Sequence, residues 1–197
     1  LTSMNNLALT LSGQGDLPGA RRLQEYVLEV RRRVQGEDHP HTLTSMSNLA
    51  ITLLTQGDLP RARRLQESAL EVRRRLLGEE HPDTLTSMNN LANTLWQQGD
   101  LPGARRLHES VLEVSQRVQG EEHPDTLAAM NNLAGTLRDQ GDLPGARRLE
   151  ESVLAVRQRV LGEEHPATLT SMNNLASSLH SQGDLPGARR LQESVLE

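Results

Sequence analysis

Four histidines recur at a fixed interval of 42 residues, His39, His81, His123 and His165, each directly before a proline. Imidazole ligates transition metals and serves as a general base near neutral pH. A metal centre needs several donors at about 2 Å, and each repeat offers one. Adjacent copies built from packed helices stand on the order of 10 Å apart, so donors from different copies do not converge. The chain has no cysteine to complete a thiolate site. The acid pairs at 79–80, 121–122 and 163–164 fall in predicted loops, where water leaves carboxylates ordinary. His108 and His180 occur singly, no serine–histidine–acid pattern recurs, and the glycines sit at helix ends, not in a phosphate-binding loop. This pattern points to no metal, no cofactor and no enzyme. The role that fits the recurring histidines is a hydrogen bond between neighbouring repeats.

The interval itself organises the whole chain. Copies span 1–42, 43–84, 85–126 and 127–168, with a partial fifth over 169–197, about 4.7 repeats in one predicted domain without insertions. In the third copy, His81-Pro82-Asp83-Thr84 opens a helix, since proline suits the first turn and Asp and Thr favour the same end. Leu85, Met88, Leu91, Ala92 and Leu95 then recur at helical spacing until Gly99. Asp100 and Pro102 start a second helix, whose stripe is Leu101, Ala104, Leu107, Val111, Leu112, Val114 and Val118, closed by Gly120. Each unit is therefore an antiparallel helix pair, and one pair cannot bury both of its apolar faces alone. The units must stack, with Ala92 and Ala104 marking close helix approach. The chain opens and stops inside a unit, which predicts a segment of a longer array whose uncapped ends permit head-to-tail self-association.

Composition narrows the partners. The net charge is −5, and arginines alternate with glutamates, so the basic stripe of a nucleic-acid binder is missing. No apolar stretch approaches the roughly 20 residues of a membrane span. The lack of cysteine fits a reducing compartment, and the cytoplasm is the expected location. Glu29–Arg33, Glu71–Arg75 and Glu113–Arg117 read as i,i+4 pairs on a solvated face.

Only three columns differ in all five copies: Leu9/Ile51/Asn93/Gly135/Ser177, Ser12/Leu54/Trp96/Arg138/His180 and Gly13/Thr55/Gln97/Asp139/Ser181. Spacings of three and four place them on one face of the first helix, roughly opposite Met4, Leu7, Ala8 and Leu11. Diversified recognition explains this pattern, and so does drift on an exposed face. Drift meets one difficulty: on the second helix, the predicted-exposed columns Arg22/Arg64/Arg106/Arg148/Arg190 and Glu25/Glu67/Glu109/Glu151/Glu193 do not change at all. Read as a groove, the triplets are apolar at one end, aromatic at Trp96 and polar at the other end.

The phrases N-N-L-A, G-D-L at the turn, an alanine three residues later, and L-G-x-x-H-P-D-T between units resemble the 42-residue tetratricopeptide repeat of kinesin light chains, found also in sensor arrays of NLR-like signalling ATPases. The resemblance runs the whole chain. Leu11, Leu53, Leu95, Leu137 and Leu179 replace its usual aromatics, and His41 and Ala167 replace its linker Asp. It implies an all-α, right-handed superhelical solenoid whose first helices line a concave groove binding an extended or helical protein segment. It also implies that Asn5, Asn89, Asn131 and Asn173 hydrogen-bond a bound peptide's backbone, with Ser47 departing in the second copy. The expectation is a protein-binding scaffold or sensor with no nucleic-acid or membrane partner. The alternatives are a self-assembling structural array, or a recently amplified or engineered repeat protein without a dedicated partner.

Overall fold

Each of the four first helices that follow a linker begins on a histidine ring. The computed structural model describes residues 1–195. In it His39, His81, His123 and His165 are the N-caps of α3 (Pro40–Thr55), α5 (Pro82–Gln97), α7 (Pro124–Asp139) and α9 (Pro166–Ser181). Each Nδ1 accepts the backbone N–H two residues on, at 3.1–3.2 Å. The bond between repeats expected of these histidines is therefore corrected: each closes its own helix. An extended backbone at the cap (φ −68°, ψ 137° at His81) turns the ring back over the first turn, where N–H groups lack helical acceptors.

The first copy contributes α1 (Thr2–Gly13), and the second helices are α2 (Leu17–Gln35), α4 (Leu59–Leu77), α6 (Leu101–Gln119), α8 (Leu143–Leu161) and α10 (Leu185–Ser194). Asp16, Asp142 and Asp184 cap three of these, each accepting from a glycine N–H three residues on at 2.9 Å. A Cβ at Gly19 would collide with the Asp16 carboxylate, so glycine lets the cap close. The second copy has Arg61 there, and its bond to Asp58 stretches to 3.4 Å. At the other end Gly36, Gly78 and Gly162 stop the helices with φ of 90°, 87° and 88°, a conformation that costs a side chain dearly.

Two compact units emerge, Leu1–Asp100 with α1–α5 and Leu101–Glu197 with α6–α10. In unit 1, α3 packs on both α2 and α4, and Leu28, Leu43, Met46, Leu49, Ala50, Leu53 and Ala62 share one core. Unit 2 repeats the scheme with Leu154, Met172, Leu175, Ala176, Leu179 and Ala188. The helix pair of one repeat thus closes on the second helix of the repeat before it, as stacking demands. Ala92 and Ala104 are fully buried, so a larger side chain at either would overpack the contact. Among the described residues the fold is all α-helix, without strands.

Two further expectations need correction. Val118 does not belong to the buried stripe; it is 55% exposed, as are Val34, Leu76 and Val160 to similar degrees in the last turn of their helices. In all five copies an i,i+4 ion pair runs Arg to Glu, Arg21–Glu25, Arg63–Glu67, Arg105–Glu109, Arg147–Glu151 and Arg189–Glu193, at 2.6–2.9 Å. Arg75, expected on Glu71, reaches Asp38 of the preceding loop at 2.6 Å, and Arg159 reaches Glu122 at 2.5 Å.

Candidate functional site

The variable columns occupy the last two turns of each first helix, interleaved with the last buried leucine of its apolar stripe, Leu53, Leu95, Leu137 or Leu179 in the second to fifth copies. None of their side chains is fully buried. In unit 1, Leu9 and Ile51 are each 49% exposed and Trp96 42%. Gly13, Thr55, Asn93 and Gln97 are exposed, while Ser12 and Leu54 are half-buried. Leu54 leans on the unit's core. In unit 2, Asp139, Ser177, His180 and Ser181 are exposed, and Gly135 and Arg138 are half-buried. A Cβ built on Gly135 meets nothing within 4 Å, so this position faces open space.

The asparagine column lies beside these residues but is not uniform. Asn5 accepts from Asn48 Nδ2 at 3.3 Å, a link between the first helices α1 and α3. Asn131 donates to the Leu127 carbonyl at 3.0 Å. The Oδ1 atoms of Asn89 and Asn131 are buried without a hydrogen-bond partner, while Asn173 is exposed. Ser47, the departure in the second copy, accepts from Arg73 at 3.2 Å. That column position is taken up by the fold in the second repeat.

Arg73 belongs to a set of arginines that join one repeat to the next. Arg31 Nη1 donates to the His41 carbonyl at 2.7 Å and to Ser45 Oγ at 2.6 Å. Arg73 Nη1 donates to Ser87 Oγ at 2.5 Å, and Arg157 Nη1 to the Ala167 carbonyl and Ser171 Oγ at 2.9 Å. Each ties a second helix to the first helix of the next repeat. In the remaining full copy the arginine position is Ser115 and the serine position is Ala129, so both halves of the contact change together. That joint change was visible in the sequence, in two columns with no obvious spacing rule between them.

A second buried column was also missed: Gln24, Gln66, His108 and Glu150, each 2–4% exposed. His108 Nδ1 lies 2.9 Å from Thr136 Oγ1, and its Nε2 is buried without a partner. Burial pushes the His108 imidazole down to about 4, so the ring is neutral at pH 7. Burial also raises the Glu150 carboxyl above the ordinary range, against the opposing pull of Ser178 and Arg138. Arg138 Nη1 stands 3.6 Å from Glu150 Oε1. One residue of the candidate face is therefore coupled to the interior.

The constancy of the second-helix face has a structural cause at the glutamate column. Burial disfavours the Glu25 charge, but hydrogen bonds from Arg21 and Arg61 outweigh it and hold the carboxyl below its usual range. Arg21 also donates to Gln56 of the next repeat at 3.3 Å, repeated as Arg63 to Gln98 and Arg105 to Gln140. On this face of unit 1 a cleft of about 600 Å³ opens between α2 and α4, with Leu28, Leu49 and Leu65 in its lining and none of the variable-column residues among them. Among the described residues no cluster of three His, Asp or Glu could hold a metal, and no helix is long and apolar enough to cross a membrane.

Comparison with known proteins agrees with this geometry. No curated protein matches the chain. The nearly identical TPR-like repeats of a Podosopora anserina protein of kinesin light chain type superpose with a TM-score of 0.90 at 30% identity, covering 99% of this chain and 92% of that one. BtubC (BKLC) from P. vanneervenii gives 0.83 at 25% identity, over 98% and 76%. The apo form of RapI shares the fold alone, at 0.80 and 12% identity, over 98% and 68%. A sequence profile of the tetratricopeptide repeat matches residues 1–75, 56–114, 83–159 and 137–197. Stacked helix pairs, a 42-residue period and these matches place the chain in the tetratricopeptide repeat family, in its kinesin-light-chain-like form, a family of scaffolds for protein–protein interaction.

Proposed function

We propose that the first helices of each unit form a non-catalytic recognition face for a protein segment. In unit 1 the face is apolar and aromatic: Leu9, Ile51, Leu54 and Trp96, with Ser12, Gly13, Thr55, Asn93 and Gln97 beside them. In unit 2 it is polar: Arg138, Asp139, Ser177, His180 and Ser181, with Gly135 leaving room for a partner's side chain. Asn5, Asn89, Asn131 and Asn173 supply polar contacts to the partner's backbone. One observation carries this reading: the three columns that differ in every copy all fall at exposed or half-buried positions, while the constant Met, Leu, Ala and Leu of α3, α5, α7 and α9 fill the core; in α1 only Ala8 is buried and Leu7 is 51% exposed. A rigid helical face loses little ordering entropy on binding.

The test is a peptide-library screen on the chain and on a variant with Ile51, Leu54 and Thr55 exchanged for Ser177, His180 and Ser181. Selected peptides should shift from apolar to polar with the exchange; an unchanged selection sinks the reading. Trp96→Ala should weaken binding by about 2 kcal/mol, as for an aromatic anchor, while leaving the melting temperature in place. Loss of folding without a separate loss of binding assigns Trp96 to the core.

A further inference from the structure

We infer that Arg138 and Glu150 form a proton-linked subsite in unit 2 that accepts a carboxylate side chain of an acidic partner segment. This rests on the recognition reading above. The arrangement is a half-exposed cation standing over a buried anion. The Arg138 side chain is 29% exposed and that of Glu150 3%, and their closest approach, 3.6 Å, is a loose ion pair and not a close hydrogen bond. The second carboxylate oxygen of Glu150 and the hydroxyl of Ser178 are both buried, and Ser178 acts on that carboxyl without closing a hydrogen bond of normal length. One turn before Arg138, Gly135 leaves open space for an incoming group.

The charges surrounding Glu150 can be named helix by helix. From α7 they are Arg138 and, exposed at the next position, Asp139. From α9, Ser178 lies nearest and His180 is exposed two residues on. On α8 itself Arg147 and Glu151 pair with each other at the surface. On the α6 side of α7, His108 is engaged with Thr136. Among the described residues Arg138 is thus the one cation acting directly on Glu150.

The chemistry follows from competition. A partner carboxylate that docks on Arg138 draws the guanidinium outward and leaves Glu150 as an uncompensated buried anion. That state is costly, and taking up one proton on a carboxylate oxygen relieves it. Binding of an acidic segment and protonation of Glu150 are therefore linked, and acidic partners bind more tightly as pH falls. Three of the other repeats carry glutamine here, Gln24, Gln66 and Gln192, and the third repeat carries His108, whose ring is neutral at pH 7. Only this copy holds a titratable carboxyl under an arginine.

Glu150→Gln is the discriminating variant, because Gln24 and Gln66 already occupy the same buried place in folded repeats. Fluorescence anisotropy would follow a labelled Glu-Ser-repeat peptide and its Gln-Ser counterpart from pH 5.5 to 8. For the native chain the acidic peptide should gain affinity as pH falls, by up to about tenfold per pH unit if one proton is taken up. Glu150→Gln should bind it tightly throughout, with that dependence removed. His180 is present in both proteins, so the difference isolates Glu150. Equal pH dependence in both overturns the linkage but leaves recognition standing. Failure of the acidic peptide to bind either protein also overturns it, and the library screen then judges the recognition face separately.

Discussion

Units 1 and 2 are made from one repeat, yet their interiors follow different rules. In unit 1 the buried polar column is Gln24 and Gln66, and both junctions between repeats carry the same arginine–serine tie, Arg31–Ser45 and Arg73–Ser87. In unit 2 the column is His108 and Glu150, and the α6–α7 junction has Ser115 and Ala129 where the tie would stand, with Arg157–Ser171 restoring it one repeat later. The exposed faces differ in parallel, apolar in unit 1 and polar in unit 2. Duplicated units can therefore keep a fold while the polar groups inside it are exchanged, provided both sides of a contact change together. A lone arginine facing alanine would lose its hydroxyl acceptor and keep at most a backbone carbonyl, as at His41 and Ala167, and an under-paired buried charge is destabilising.

The largest way to separate the units is acid. The folded pKa of His108, about 4, lies below the ordinary value of 6.5, so the unfolded chain binds the extra proton first. The resulting stability is fully present above pH 6.5 and lost as pH falls through about 4, by at most about 3 kcal/mol at 1.4 kcal/mol per pKa unit. Native-state hydrogen exchange should show unit 2 loosening across this window, and His108→Gln should flatten the change. Unit 1, with glutamines in the column, sets the baseline. A native chain as acid-resistant in unit 2 as the His108→Gln variant would break the contrast.

A somewhat smaller effect is expected from the ties. Arg73→Ala removes charged hydrogen bonds to two serine hydroxyls and should lower the stability of unit 1 by about 2 kcal/mol. Ser115→Ala, at the equivalent place in unit 2, should cost under about 1 kcal/mol. Denaturant unfolding of both variants gives the ratio, and similar losses would show that the arginine tie is dispensable. Smallest of all is Asp38→Asn, which breaks the exposed pair with Arg75 and should change stability by less than about 1 kcal/mol, vanishing at high salt. A larger shift would mean that the loop, and not the helices, holds unit 1 together.

Much of this was readable from the residues, and the failures have physical causes. Leu85, Met88, Leu91, Ala92 and Leu95 are all buried as their spacing predicts, and helix ends fall at the expected histidine, aspartate and glycine positions. Local periodicity decides these, because each depends on neighbours a turn away. Val118 fails because it lies in the last turn of a 19-residue helix packed on a 16-residue one, where periodicity does not reveal that it is 55% exposed. Arg75 and Arg73 fail for the opposite reason: their partners, Asp38 and Ser87, come from adjacent repeats. The i,i+4 rule sees only the helix on which an arginine sits. The variable columns were legible as a face, but not the hold that Glu150 has on Arg138, since a lone glutamate in a mostly glutamine column looks like substitution on a surface.

Arg61 has a consequence that reaches past its own turn. Where its sister copies keep glycine and close their cap at 2.9 Å, this side chain loosens the cap to 3.4 Å and sends its guanidinium to Glu25, one repeat back, at 2.9 Å. A single exchange has moved cohesion from inside a module to the seam between modules. Arrays that accumulate such exchanges become harder to shuffle, because a repeat so altered fits best behind the one neighbour it has learned to grip.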